Sequence, residues 1–283
     1  MDLHQSHFQR LFDPRAFPVI VDKEPLAAGV IPQLNYHPEV EIQLCRLGRC
    51  EYLIKGVNYR FEQNTLLIIH KNELHLCIPN PHHSVKKTTL IFSPQLMNDR
   101  PTGLAALGGL ESLHSLILSG GEAAKADFFM NEIKQELDLN GTDSQALVTS
   151  YVEALLVHLR RNAESQLIPP AQADPVMQEI IAYLDSNLAK RPTLVAVADL
   201  FSMSPYTLCK KFKTYAGLGF REYQIQRRVA EARTLLETTD LKVAGVAYEV
   251  GFETLSTFNN DFRRLTGLTP SDFRRISSER NAG

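Results

Sequence analysis

The sequence predicts an α+β chain. An antiparallel β-barrel with a helical pair comes first, and an all-α domain with two helix-turn-helix units follows. Three observations predict it. Between Leu194 and Arg275 one pattern is written twice: Val197-Ala198 returns as Val246-Ala247, Phe212 as Phe262, Gly217-Leu218 as Gly267-Leu268 and Tyr223 as Phe273, at offsets of 49 or 50 residues. Two copies are too few for a solenoid and read as a duplicated small helical module. Before residue 95, short runs of branched and aromatic residues are punctuated by Gly and Asn, the pattern of many short strands. Between these regions the apolar spacing lengthens to three and four residues, the helical period.

Taken in order, Met1 to Arg10 carries His, Gln, Asp and Arg without an apolar block, so no secretory signal is expected. Strands are expected at Val19 to Asp22, Glu41 to Leu47, Glu51 to Ile54, Asn58 to Phe61, Thr65 to Ile69 and Thr88 to Phe92. Gly48, Gly56, Asn64 and Asn72 mark their turns. Along the second run Glu39, Glu41 and Gln43 share one face while Ile42 and Leu44 take the other. This acidic row suits a pocket for a hydroxyl-rich or cationic ligand, and a solvated edge explains it as well. The chain has no Trp, so stacking against a ligand face would fall to Tyr36, Tyr52 or Tyr59. Pro79 to Ser84, with His82-His83, reads as a hairpin loop rather than a metal tract.

This front half resembles a cupin barrel. The resemblance is carried by His37-Pro38-Glu39-Val40-Glu41, Gly48, Gly56 before Tyr59, and Glu73-Leu74-His75. It implies a ligand site drawn from His37, Glu39, Glu41, Tyr52 and His75. The proline and glycine expected before the last histidine are replaced by His70 and Asn72. Two histidines and a carboxylate have the donor types for a transition metal. The same groups can line a metal-free pocket or the barrel rim, and no metal or cofactor is assigned.

Leu107, Leu110, Leu113 and Leu116-Ile117 read as helical turns ended by Gly120-Gly121. Ala124 to Asn140 and Ser144 to Arg161 read as amphipathic helices, with stripes at Phe129, Ile133, Leu137 and at Val148, Val152, Leu155, Leu159. Joined by Asn140-Gly141, they form an antiparallel pair. Asn162 to Asp174 holds two prolines and no apolar period. The boundaries are therefore 1–165 for a sensing domain, 166–173 for a linker and 174–283 for a second domain, whose first helix starts with Val176, Ile180, Tyr183 and Leu184.

In the first module Leu194, Val197, Ala198 and Phe201 mark one helix face, and Ser202-Met203 makes the turn. Ser204 caps the next helix, with Pro205 at its first position. Leu208 and Phe212 face inward, leaving Tyr206, Thr207, Lys210, Lys211 and Lys213 outward. The second module runs Val243, Val246, Ala247 and Val250, then Gly251-Phe252, where Gly251 can take the positive φ that ends a helix. Thr254 caps a helix whose inner face is Phe258 and Phe262. Its outer face offers Leu255, Ser256, Asn259, Asn260, Arg263 and Arg264.

Here the chain resembles the AraC/XylS family of transcriptional regulators. The match includes Arg228, Ala232 and Leu235-Leu236 on the joining helix, Val246-Ala247, Gly251-Phe252, Phe258, Phe262, Gly267, Pro270-Ser271 and Phe273-Arg274. The resemblance covers the last hundred residues or so and, more loosely, the first ninety. It implies two modules whose second helices bind consecutive major-groove segments of double-stranded DNA, a small-molecule effector in the front half, a homodimer formed by the helical pair, and RNA polymerase as a further partner. The expected DNA-binding residues are Pro205, Tyr206, Thr207, Lys210, Lys213, Leu255, Ser256, Asn259, Asn260, Arg263 and Arg264. Asn259 and Asn260 suit adenine, whereas Arg263 and Arg264 suit phosphate. Many family members carry Arg where Asn260 stands, so base preference should differ there.

Composition fits a soluble globular protein, with 44% hydrophobic and 22% charged residues. No run of about 18 apolar residues appears, so no membrane partner is expected. The part from residue 174 onward holds 15 Lys+Arg and 13 Asp+Glu, net +2, and the part before it is net −4. That excess is small, and the placement of the cations on the second helices matters more than the total. Cys45, Cys50, Cys77 and Cys209 lack metal spacing and are expected as free thiols in a cytoplasmic chain. The reading is a non-enzymatic, effector-responsive DNA-binding regulator. The alternative is a metal-dependent cupin enzyme with an appended DNA-binding domain.

Overall fold

The computed structural model describes residues 17–23, 32, 34–35, 37–71, 73–80, 82, 84–163 and 174–281, with side chains to residue 278. The expectations placed on Met1 to Arg10, Tyr36, Asn72, Pro81, His83 and the 166–173 linker lie outside the described residues. The chain divides into two compact units.

The first unit holds residues 17–23, 32 and 37–163. Its strands are β1 (Val19–Asp22), β3 (Val40–Leu47), β4 (Arg49–Ile54), β5 (Val57–Glu62), β6 (Thr65–Ile69), β7 (His75–Ile78), β8 (Lys86–Phe92) and β9 (Ser115–Ile117); the short β2 (Leu34–Asn35) groups with the second unit. One antiparallel sheet runs β1-β8-β3-β6-β9, and a second contains β7, β4 and β5. The six expected strands are all present. The two sheets stay separate, so the barrel is not closed. Period-two alternation explains the layering. Val40, Ile42, Leu44, Leu66, Ile68, Leu90 and Phe92 turn one face of the larger sheet toward the helices. Cys45, Leu67 and Ile69 turn the other toward Cys50, Tyr52, Ile54 and Phe61 of the smaller sheet. β3 is therefore buried on both faces, which places Glu39, Glu41 and Gln43 inside and rules out the solvated edge.

Four details depart from expectation. Leu116-Ile117 is not helical. It forms β9, because Leu66 and Leu67 at the open edge of β6 accept Leu116 and Ser115 as ladder partners. Gly120-Gly121 starts a helix instead of ending one: α2 (Gly120–Leu139) opens with a capping box between Ser119 and Glu122. β7 and β8 do not pair as the hairpin expected around Pro79 to Ser84, since they belong to different sheets. Val176 is exposed at 37% although Ile180 and Leu184 of the same helix are buried. α1 (Pro101–Gly108), α2 and α3 (Ser144–Ala163) cover the larger sheet, with Met130, Ile133, Val148, Val152, Leu155 and Leu159 in one core.

The second unit is helical: α4 (Pro175–Ser186), α5 (Leu194–Leu200), α6 (Pro205–Ala216), α7 (Phe220–Thr238), α8 (Val243–Glu249), α9 (Leu255–Thr266) and α10 (Pro270–Asn281). The duplication in sequence is a duplication in space. Met203 N–H donates to Ala198 O at 2.8 Å, and Phe252 N–H to Ala247 O at 2.9 Å. Ser204 caps α6 by accepting from Thr207 N–H, and Thr254 caps α9 by accepting from Thr257 N–H. Gly217 and Gly267 end the two helices at φ +66° and +76°. Phe212 meets Tyr223 edge-on at 5.4 Å, and Phe262 meets Phe273 at 5.5 Å, both at 78°. Among the described residues no helix is long and apolar enough to cross a membrane.

Candidate functional site

Each repeated module buries one face of its second helix and leaves the other bare. In α6, Leu208 and Phe212 are fully buried, while Pro205, Tyr206, Thr207, Lys210, Lys211 and Lys213 are exposed. In α9, Phe258 and Phe262 are buried, while Leu255, Ser256, Asn259, Asn260, Arg263 and Arg264 are exposed. Tyr206 is the extreme case at 77% exposure. A large aromatic so placed leaves most of its surface to solvent. All eleven sequence-predicted contact residues thus lie on two solvent-facing helix surfaces.

The cations on these surfaces are not equivalent. Arg264 donates to Glu222 at the start of α7 at 3.0 Å and to Asp261 at 3.1 Å, which ties α9 to the joining helix. Lys211 reaches Asp174, the cap of α4, at 3.5 Å. The sequence signals a cation at these positions but cannot signal its partner, because Glu222 lies 42 residues from Arg264. Behind the surfaces, Arg228 donates to Leu188 O at 3.2 Å and to Gln224 at 3.0 Å. Arg227 and Tyr223 both donate to Asp185. The joining helix is thus locked to α4 and the turn after it by charged hydrogen bonds.

In the first unit all five expected pocket residues join one buried polar cluster. His37 Nε2 and His75 Nε2 each approach Glu41 Oε2 at 3.1 Å. The His37 and His75 rings stand edge-on at 5.1 Å, and Glu39 lies 3.6 Å from His37 Nδ1. Gln43, unforeseen as a site residue, donates to Glu41 and accepts from the Tyr52 hydroxyl. Tyr52 joins the cluster through that bond. Lys87, also unforeseen, donates to the Tyr52 hydroxyl at 2.9 Å and to Gln43 at 3.0 Å. Gln43 was legible from its place in the alternating row; Lys87 needed the β3–β8 pairing. Burial alone would raise the Glu41 carboxyl, but the bonds from His37 and His75 outweigh it and hold Glu41 well below its ordinary value. Burial pushes the Tyr52 phenol well up, so it stays a neutral donor. His75 Nδ1 donates to Glu73 O at 2.9 Å, the backing a metal-bound histidine has. The donor types therefore fit a transition metal, while the 3.1 Å contacts of the two histidines with Glu41 are equally hydrogen bonds within the protein. Tyr59 is partly exposed and stacks near His114, outside this cluster. A surface cavity of about 680 Å³, lined by Leu47, Gly48, Arg49, Glu62, Gln63, His82 and Ser84, shares no residue with it.

Residues 30–116 match the AraC-like ligand binding domain, and residues 197–276 match a helix-turn-helix domain. The chain belongs to the AraC family. Its AraC-family relatives include the HTH-type transcriptional regulator YijO of Escherichia coli K12, 32% identical over 147 residues. That match covers 52% of this chain and 52% of YijO, so only about half the length of that relative is spanned. The HTH-type transcriptional activator RhaR of Escherichia coli O139:H28 is 24% identical over 253 residues, covering 87% of this chain and 88% of RhaR. Among solved structures, ToxT from Vibrio cholerae is 15% identical, covers 92% of this chain and 98% of its own, and superposes with a TM-score of 0.38.

Proposed function

We propose that this AraC-family chain is a sequence-specific DNA-binding transcriptional regulator that answers to a small molecule and has no catalytic step. Residues 1–165 act as the effector and dimerisation domain, 166–173 as the linker and 174–283 as the DNA-binding domain, working in the cytoplasm with RNA polymerase as a further partner. α6 and α9 enter successive major grooves, reading bases through Tyr206, Lys210, Asn259 and Asn260 and gripping phosphate through Lys213 and Arg263. α7 has 19 residues and spans about 28 Å. That is close to one DNA turn of about 34 Å once the width of a module is added.

The observation that carries this reading is the matched pair of bare helix faces on identically built supports. Selection from a random duplex library tests it. The expected product is a consensus of two segments about one helical turn apart, and a five-base-pair insertion between them should abolish binding. Recovery of no consensus, or of a single segment indifferent to insertion, contradicts the reading.

The effector reading rests on the buried acidic cluster of Glu39, Glu41, His37 and His75 joined to Tyr52, whose carboxylate acceptors would suit a hydroxyl-rich or cationic metabolite. A thermal-shift screen should find a compound that raises the melting temperature of the wild type and fails with His75→Ala. The convergence of two histidines on one carboxylate favours a second reading, a metal-dependent cupin enzyme. Stoichiometric metal in the purified chain that is lost on His75→Ala would select it.

A further inference from the structure

A second histidine–glutamate–histidine constellation lies outside the buried cluster. His70 follows β6, Glu73 stands in the turn between β6 and β7, and His114 precedes β9. The strand ladder brings them together, since Ile68 N–H donates to His114 O at 3.1 Å and Leu67 pairs with Ser115. One ligand atom from each of the three residues lies within 4.8 Å of the others. The residues are half-buried, so an ion could enter from solvent without opening the fold.

We propose that His70, Glu73 and His114 form a binding site for a divalent transition metal ion of the zinc, cobalt or nickel type. The donor set is two imidazoles and one carboxylate, which suits these ions and not magnesium or calcium. The hydrogen bonds prepare it. A carbonyl can only accept, so the 3.0 Å contact between His70 Nε2 and Leu113 O puts the proton on Nε2. That leaves His70 Nδ1 as a lone-pair nitrogen, and a histidine backed by a carbonyl is the usual arrangement at metal centres. Glu73 is aimed by His70 N–H, which donates to its Oε2 at 3.0 Å. His114 Nε2 is already 2.9 Å from that oxygen. Ligands of a tetrahedral zinc at about 2.0–2.1 Å stand about 3.3 Å apart. Closure from separations of at most 4.8 Å is a shift within the reach of side-chain rotation, with the ion replacing the His114 proton. The competing cation is Lys55, 3.4 Å from Glu73 Oε1 but 62% exposed on a flexible stem, so it can leave.

The site has a consequence for the front domain. Glu73 supplies the carbonyl that holds His75 Nδ1. An ion on the Glu73 side chain would fix the turn that aims His75 at Glu41. The metal would act as a structural co-effector, with three protein ligands and room for water or an exchangeable ligand.

Titration of the full chain with Co²⁺ alone, read by visible absorption and displaced by Zn²⁺, tests the site. One equivalent should bind without a thiolate charge-transfer band. His70→Ala and His114→Ala should weaken binding on the order of 100-fold, whereas His75→Ala should retain it. Absence of cobalt binding by the wild type overturns the proposal. So does a thiolate band, which would place the ion at a cysteine, or a loss that follows His75→Ala and spares His114→Ala, which would place it in the buried cluster. Should an alanine variant fail to fold, as seen by circular dichroism, Glu73→Gln replaces it. That change keeps the acceptor for His70 N–H, and unchanged cobalt affinity in it equally overturns the site.

Discussion

At the first interhelical turn Ser202 sits at φ +54°, in the left-handed region, and the matching position of the second module is Gly251 at φ +92°. A residue with a Cβ is strained there, while glycine is not. Ser202→Gly should therefore raise stability by about 0.5 kcal/mol after allowing for the freer unfolded chain. The converse change is harsher. A Cβ on Gly251 would stand 2.9 Å from Ala189 Cα and 3.0 Å from Leu188 O, so Gly251→Ala should cost more than about 2 kcal/mol. Thermal unfolding of both variants checks the pair. Glu41 gives a residue-scale prediction in pH. Its folded pKa lies below the ordinary 4.5. Its contribution is thus fully present above about pH 4.5 and is lost as pH falls through the folded value. Glu41→Gln leaves two buried imidazoles without their anion and should cost about 3 kcal/mol at neutral pH. The gap between wild type and variant, measured by urea unfolding, should be flat above pH 4.5 and shrink below it.

Among elements, the proposed DNA-binding reading assigns specifying and positioning contacts to different residues. Asn260→Ala should change which duplexes are selected, and Lys213→Ala on α6 should weaken all duplexes alike. Arg263 and Arg264 are neighbours with different duties. Arg264 is engaged by Glu222 and Asp261, whereas Arg263 extends from the exposed face. Arg263→Ala should lower the salt dependence of DNA binding by about one unit of slope. Arg264→Ala should loosen α9 from α7 and show mainly as a lower melting temperature. Equal effects of the two substitutions on the salt slope would contradict this division. The same contrast explains what was legible in the chain. The capped, strongly periodic helices α6 and α9 were readable because Ser204, Thr254 and the Phe stripes are local signals. β9 was not, because Ser115–Ile117 is a strand only by virtue of the β6 edge beside it. The acidic row of β3 was readable as a row from alternation, but its burial depended on a second sheet covering it. Lys87 and the His70–Glu73–His114 constellation were hidden for the same reason: strand pairing, not spacing, assembles them.

At the scale of the whole molecule, the proposed dimer has a surface to use. Phe128 and Leu139 of α2 are 52% and 72% exposed, and Leu147 of α3 is 41% exposed. Phe128 and Leu139 are eleven residues apart, about three helical turns, so they line one side of α2. Burying such side chains against a second copy would contribute about 1.5–3 kcal/mol each, and two copies supply two of each. A C₂ pairing is self-complementary, so one substitution removes contacts on both sides. Phe128→Glu should therefore convert a sedimenting dimer of the full chain to monomer without lowering its melting temperature as monomer, since Phe128 is outside the core defined by Met130 and Ile133. The variant should still bind a single duplex segment pair through α6 and α9 but lose the added affinity for a site carrying two such pairs. A wild-type chain that sediments as a monomer up to high concentration, or a Phe128→Glu chain that remains dimeric, would locate dimerisation elsewhere than on this helical pair.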